Sequence, residues 1–406
     1  MMKRRTFVKG LALGALLSGR FGGKGRAAST EGSVGDMPEL QFAWNHVLRT
    51  DRYGNPRLPA HHALALLKLN KAPSLAAARH LERVLSRIEG IFPRGPDGIL
   101  FVVAWGPSYF RDIVGLPESE IPLPDPRPLS SFETPLLDNY HACFHLAGDS
   151  PERLESVLSA LFKGGADVNG KQEHLDLRSL FHLAELRTGF SGAPLPFQNQ
   201  DVSGLPPSQP LQAQAPLFMG FQSGFKGNQA SEEGITIKVG YFRGGTTMHV
   251  SRIRLRLNDW YEHLNQAERV ARMFSPFLTP SQVENFRDNP PVDPERLSEA
   301  VKTHGVAGHA QKAAQARLQG RPIILRRDFN TVDGGTAGLH FVGLQRSIDD
   351  FVAVRRAMNG DGLTYENPAV GPRINNGILE FMFVLNRANY IVPPRRNRSF
   401  PWLEKI

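Results

Sequence analysis

From His61 onward the apolar residues change period repeatedly, and the order of those changes limits the folds open to the chain. His61–Asn70 (HHALALLKLN) is a strand-like apolar run. Over Ser74–Gly90, Leu75, Ala78, Leu81, Val84, Leu85 and Ile88 recur at helical spacing, with Ser74 to cap the start and Gly90 the end. Gly98–Trp105 predicts a second strand and His141–Ala147 a third. Ser150–Leu161 predicts a second helix, capped by Ser150 with Pro151 at its first position, and Ser179–Arg187 a fourth strand. Strand, helix, strand, strand, helix, strand is the split βαβ, or ferredoxin-like, order. Such a unit carries its helices on one sheet face and leaves the other face to be covered.

The same order returns, with larger insertions, after Gly189–Pro216, a Pro-, Gly-, Ser- and Gln-rich boundary. Gly245–Leu257 predicts a strand in which Ile253, Leu255 and Leu257 alternate with Arg252, Arg254 and Arg256. Asn258 or Asp259 can cap an amphipathic helix, Trp260–Phe274. Ile323–Leu325 is a short apolar run, Gly338–Gln345 a strand, Ile348–Met358 a helix and Gly377–Leu385 a final strand. The expectation is an α+β protein of two ferredoxin-like units with antiparallel sheets, residues 29–205 and 206–406, and a pocket on the uncovered face.

The N-terminal segment has a different logic. Lys3, Arg4, Arg5, Thr6, Phe7 and Lys9 form a twin-arginine pattern, followed by an apolar core, Gly10–Leu17, and a small-residue region at Gly25–Ala28. That is the order of an export signal, and the apolar core is too short to span a bilayer. Residues 1–28 are therefore expected to direct export by the twin-arginine machinery, which carries folded proteins, often with cofactor loaded. A periplasmic or extracellular location follows, or membrane anchoring if the segment is retained. Seven of the 48 cations lie there and no acid precedes Glu31, so 41 basic residues face 39 acidic ones in the rest. The formal charge of +9 is then no sign of a nucleic-acid partner. The single cysteine, Cys143, excludes an intramolecular disulfide framework, a CxxC pair, a CxxCH haem attachment and a cysteine-based zinc site. Its apolar surroundings read as a buried, inert thiol. No later stretch is long and apolar enough for a membrane-spanning helix.

Candidate chemistry centres on Gly305–Asn330. His309 lies on a short polar segment, and an imidazole binds a metal or a haem iron through a neutral nitrogen. Arg326, Arg327 and Asp328 end the apolar run that follows. A guanidinium there can face the same cavity and stabilise developing negative charge. His249, at the start of the arginine-alternating strand, is a candidate for lining the pocket. His304 is the competing axial ligand, whereas His61, His62 and His340 read as structural.

Phe218–Gly224 (FMGFQSG), His249–Leu255 (HVSRIRL) before a Trp-led helix, and His309 followed by Ile324-Leu325-Arg326 occur in that order. Together with Leu339–Arg346, Phe351–Arg356 and Ala369–Gly371, they resemble the dye-decolorizing peroxidase family, most clearly from Pro216 to Leu385, and a twin-arginine-exported subgroup of it. The resemblance implies non-covalent haem b with His309 as the iron ligand. It makes Arg326 the distal arginine, with Arg327 the alternative one register on, and places Phe221 and Gly224 about the cofactor. Hydrogen peroxide and a small reducing donor are the implied substrates, and a homo-oligomer is compatible with it. The family's distal motif is GxxDG, and here it reads Gly220-Phe221-Gln222-Ser223-Gly224, with Ser223 in the acid's place. A serine hydroxyl is not a base at neutral pH, though it can orient a water. General acid–base catalysis contributes on the order of 10²–10⁴-fold, so a slow peroxidase is expected. Glu232 or Glu233 would have to enter the pocket to replace the acid. The family often places an acid before the last strand, to hold the iron-ligating histidine. Thr364 falls at that point, with Asp361 and Glu366 nearby and Asp333 and Asp350 further off. A non-catalytic haem-binding, haem-transfer or sensing protein is the second reading, and an exported interaction module without haem the third.

Overall fold

Eight strands carry the fold: β1 His61–Leu69, β2 Leu100–Trp105, β3 Ala142–Gly148, β4 Phe181–Phe190, β5 Thr246–Leu255, β6 Phe329–Thr331, β7 Gly338–Gln345 and β8 Met382–Val392. In this computed structural model the described residues are 37–206, 211, 214–222, 224–284, 292–363 and 366–406. The expected signal segment 1–28, Ser223 and Thr364 lie outside them. Within the first half the strands pair in the order β4–β1–β3–β2, and within the second in the equivalent order β8–β5–β7–β6. Trp105 opposite Ile391 joins β2 to β8, and Phe190 opposite Asn330 joins β4 to β6. The ring closes, with every one of these pairings antiparallel, into an α+β barrel. The two ferredoxin-like units expected on either side of residue 205 thus meet edge to edge, and closure hides the edges each would otherwise expose.

Strand alternation sends neighbouring side chains to opposite faces, and here both faces are covered. On the outside, Ala63, Ala65, Leu67, Val103 and Phe144 pack against helices Leu75–Ile91 and Pro151–Phe162 through Leu81, Leu85, Val157 and Leu161. On the inside, Leu64, Leu66, Val102 and Cys143 meet Met248, Val250, Val342 and Tyr390 from the other half, together with Phe42 and Trp44. That double burial is why β1 reads as an unbroken apolar run. A third core lies under the second unit, where Phe218, Phe221, Trp260, Phe274 and Phe381 gather against Ile253 and Leu255.

Several boundaries differ from expectation. The final strand is Met382–Val392, not Gly377–Leu385, because Gly377 takes a left-handed φ of +64° and Leu379–Phe381 form a 3₁₀ turn. Its second half is polar by sequence but buried: Arg387 pairs with Glu133 and Asn389 with His249. The expected Trp260–Phe274 helix is two, Leu257–Glu262 and Gln266–Met273, the second opened by a capping box between Asn265 and Glu268. Arg256, not Asn258 or Asp259, occupies the first cap, and Phe92, not Gly90, ends the Leu75–Ile91 helix. The Ile323–Leu325 run pairs with β7 only at Leu325 and Arg326.

Candidate functional site

His309 opens a short helix, His309–Ala314, in a position that two glycines permit. A Cβ on Gly308 would lie 1.9 Å from the Phe274 carbonyl oxygen, and one on Gly377 would lie 3.1 Å from the His309 backbone. The ring itself is half-buried and has no hydrogen-bond partner among the described residues. Desolvation first, and then the cations Lys312, Arg326 and Arg355, push its pKa down to about 3. It is a neutral imidazole, the form a metal ligand requires.

The surroundings of His309 are cationic rather than acidic. Lys312 is buried, its Nζ donating to Met358 O (2.7 Å), Asn376 O (3.0 Å) and the Asn376 side chain. Burial, reinforced by Arg355, lowers it to about 7. None of the described carboxylates expected to support His309 reaches it. Asp361 and Glu366 are exposed, Glu366 accepting from Ser298. Asp333 is bound to Thr188 and His340, and Asp350 belongs to the capping box of the Ile348–Asn359 helix.

A cavity of about 1290 Å³ opens between the 216–224 loop, the segment after Asn45 and the strand end at Leu325–Asp328. The loop is pinned from below. Phe218 N–H donates to Asn330 Oδ1 (2.8 Å), the Tyr261 hydroxyl to Phe218 O (2.7 Å) and the Trp260 indole to Met219 O (3.2 Å). Phe221 sits edge-on to Phe274 and Trp260. Gly220 and Gly224 both have left-handed φ, +83° and +82°, and a Cβ on Gly220 would meet the Tyr261 hydroxyl at 2.9 Å.

The two arginines differ in their partners. The Arg326 guanidinium lines the cavity and donates only to Asn228 Oδ1 (3.2 Å), with no carboxylate at ion-pair distance among the described residues. Arg327 is buried and committed: it donates to Asn45 (3.0 Å) and Glu232 (3.2 Å) and lies over the Trp44 ring. Burial brings it down to about 10 against the opposing pull of Glu232. Glu232 also accepts the backbone N–H groups of Trp44 and Asn45, and Glu233 is exposed beside Lys238, so neither stands in for the missing acid. Among the described residues the wall carries Asp51, which accepts from Asn55 and Gln222, Asp149, which pairs with Arg49, and the buried Asp328, which the sequence does not single out. Two-residue alternation from Arg326 was the available signal.

Phe221, Gly224, Arg326 and Arg327 thus converge on one cavity. His309 is not part of its wall. It follows the Gly308 backbone that packs on Phe274, and Phe274 is a wall residue. His249 departs from expectation: its ring bridges Asn389 (2.8 Å) and Ser251 (2.7 Å), stacks on Phe351 and stands off the cavity. His304 is exposed, edge-on to Phe277. His61 lies on the wall, His62 bonds His145 (3.1 Å), and His340 is buried as expected. Among the described residues no three His, Cys, Asp or Glu side chains gather as a metal site, and no helix is long and apolar enough to cross a membrane.

Comparison with known proteins agrees with the barrel fold. A family described as one of unknown function, DUF7405, matches residues 59–394. No curated protein matches the chain in sequence. Solved structures of the dye-decolorizing peroxidase type share the fold. The DyP-type peroxidase from Cellulomonas bogoriensis aligns with a TM-score of 0.55 at 20% identity, over 83% of this chain and 90% of that one. DyPB from Rhodococcus jostii RHA1 aligns at 0.55 and 13%, over 88% and 97%. The dye-decolorizing protein from V. cholerae aligns at 0.52 and 14%, over 87% and 98%. A Rhodococcus jostii DypB variant of the same fold is in complex with heme, with a TM-score of 0.53, 14% identity and coverage of 88% and 98%.

Proposed function

The chain belongs to the DUF7405 family, whose function is unknown, and we propose that this member is an exported haem b protein that reduces hydrogen peroxide at the expense of a small donor. The observation that carries the reading is that, among the described residues, His309 is a neutral imidazole with no hydrogen-bond partner and the cavity-facing Arg326 has no carboxylate at ion-pair distance. The residues present fit the cofactor. The cavity, about 1290 Å³, exceeds the roughly 300–1,000 Å³ of ordinary small-molecule sites. The candidate donor is one imidazole, His309, held beyond the Gly308–Phe274 contact rather than on the cavity wall; a lone imidazole suits haem better than a bare ion, and the sequence has no CxxCH motif for thioether attachment. His309 would hold the iron and Phe221, with the backbone at Gly220 and Gly224, would border the ring.

Bound haem supplies the two electrons that peroxide reduction needs and recovers them from the donor. The chain's own contribution is electrostatic. Arg326 presents its guanidinium where negative charge develops on peroxide oxygen. Ser223 has no basic form at neutral pH, so catalysis is slow relative to a site with an acid there. A second reading, haem binding for transfer or sensing, draws support from the cationic surroundings of His309. With no carboxylate among the described residues to accept its other N–H, His309 would be a less basic ligand and would favour higher oxidation states of a bound iron less.

The test is the absorption spectrum of natively exported protein, with haem quantified against protein, for wild type and His309→Ala. A Soret band at near-stoichiometric haem that His309→Ala abolishes supports the reading. Haem retained by the variant removes His309 as ligand. Haem-free protein that also refuses added haem leaves the interaction module.

A further inference from the structure

Arg326 and Asp328 are two residues apart on an extended segment, and its pairing with β7 determines what each can do. Arg326 stands opposite Gly343, and Arg327 N–H donates to Val342 O (2.7 Å). Val342 N–H donates in turn to Asp328 Oδ1 (3.2 Å). Arg327 also reaches the cavity, but its side chain is tied to Trp44 and Asn45, and alternation puts residues 326 and 328 on the opposite face of the segment. Both line the large cavity, as do Gly220, Phe221 and Gly224. Asp328 is only 8% exposed, and no cation stands at ion-pair distance from it among the described residues. Its second oxygen, Oδ2, has no hydrogen-bond partner among them either. A buried carboxylate without a salt bridge is costly to keep, and such groups cluster where a proton must be handled.

We propose that Asp328 is the acid–base group of this cavity. Its Oδ2 accepts one proton from hydrogen peroxide, leaving a hydroperoxide anion beside the Arg326 guanidinium, and gives that proton to the departing oxygen as the O–O bond breaks, so that this oxygen leaves as water; bound haem would supply the two electrons, and two electrons and two protons from the donor would release the other oxygen as a second water. The proposal rests on the haem reading above. It assigns to Asp328 the task that Ser223 cannot perform, from a different chain segment of the same cavity. Burial pushes the Asp328 carboxyl up to about 6, with Arg326 and the Val342 hydrogen bond pulling the other way. Arg326 is the charged group, among the described residues, that acts on it. A carboxyl at that value is mostly ionised at neutral pH and still basic enough to take a proton, which is the compromise that general acid–base catalysis favours.

The experiment uses the full-length holoprotein as wild type, Asp328→Asn and Asp328→Glu, with haem content, the pre-steady-state rate of reaction with hydrogen peroxide, and the infrared band of the protonated carboxyl all followed against pH. Asp328→Asn is expected to keep wild-type haem stoichiometry, to react roughly 10²–10⁴-fold more slowly, and to lose the rise in rate with pH. The carboxyl band should titrate with a midpoint of about 6 in wild type and be missing in Asp328→Asn. Asp328→Glu should recover much of the rate with a shifted midpoint. A haem-loaded Asp328→Asn that reacts at the wild-type rate with the same pH profile overturns the assignment and leaves the haem reading intact. A wild-type chain that takes up no haem overturns the haem reading and this role with it. Should Asp328→Asn fail to melt cooperatively, the Asp328→Glu profile decides, and an unshifted one counts against the proposal.

Discussion

Gly377 and His309 are in backbone contact: a Cβ built on Gly377 would lie 3.1 Å from both the Cα and the N of His309. Gly377 also holds φ at +64°, where an L side chain is strained. Gly377→Ala should therefore cost about 1–3 kcal/mol in stability and displace the start of the His309–Ala314 helix. The urea midpoint and a haem titration check it. The haem occupancy should fall with the stability, and a variant equal to wild type in both would mean that this contact does not position His309.

Arg326 and Arg327 should separate cleanly on substitution. Arg327 is buried against Glu232 and Trp44, so Arg327→Leu leaves a largely buried carboxylate without its cation and should cost about 3–5 kcal/mol. Among the described residues Arg326 makes one side-chain hydrogen bond, to Asn228, and it lines the cavity. Arg326→Leu should change the melting temperature little and abolish fast reaction with peroxide. Reversal of that pattern would move the cavity cation one residue on.

Glu133 is the hub of a buried cluster, accepting from Arg387 (2.9 Å) and Arg355 (3.2 Å). Burial raises its carboxyl, but Arg387, the Leu129 N–H and Arg355 outweigh burial and hold it below the usual range. Glu133→Gln would leave two buried guanidinium groups without a counter-charge. It should destabilise by roughly 3–5 kcal/mol, measured by chemical denaturation. A loss under about 1 kcal/mol would class the cluster with surface pairs.

This cluster also explains where the sequence stops being legible. The strand–helix order could be read because most strands are apolar on both faces. Strand β8 could not, because Arg387 and Asn389 look like solvent-facing residues until their partners, Glu133 and His249, arrive from far along the chain. Strand β6 is three residues long, too short to show a period, yet its Asn330 closes the barrel and pins the cavity loop. At the candidate site His309 and Arg326 were candidates by residue type, and the family resemblance gave them and Gly220 and Gly224 their places. Asp328 did not, because an acid after two arginines reads as a solvated strand end. Only the fold reveals that it is buried on the cavity wall.

The buried histidines make acid stability a sharp test of the interior. His62 is wholly buried, bonded to Pro59 O (2.9 Å) and to His145 (3.1 Å). Burial lowers it to about 3, with Arg327 and His61 adding and the Pro59 bond opposing. His145 and His249 are driven down in the same way, by burial first and then by neighbouring His62 and Arg387 respectively. Each is neutral in the folded state and titrates near its ordinary value of about 6.5 when unfolded. Below that pH the unfolded chain binds more protons, so stability falls as pH falls. The stabilisation from each is complete above about pH 6.5 and is lost toward its folded value, at about 1.4 kcal/mol per pH unit. The melting temperature should therefore drop steeply between pH 6.5 and pH 5, before most carboxylates titrate, and His62→Gln should flatten that slope by about one proton's worth. A melting temperature that stays level down to pH 5 would mean that these rings are charged, or solvated, inside the fold.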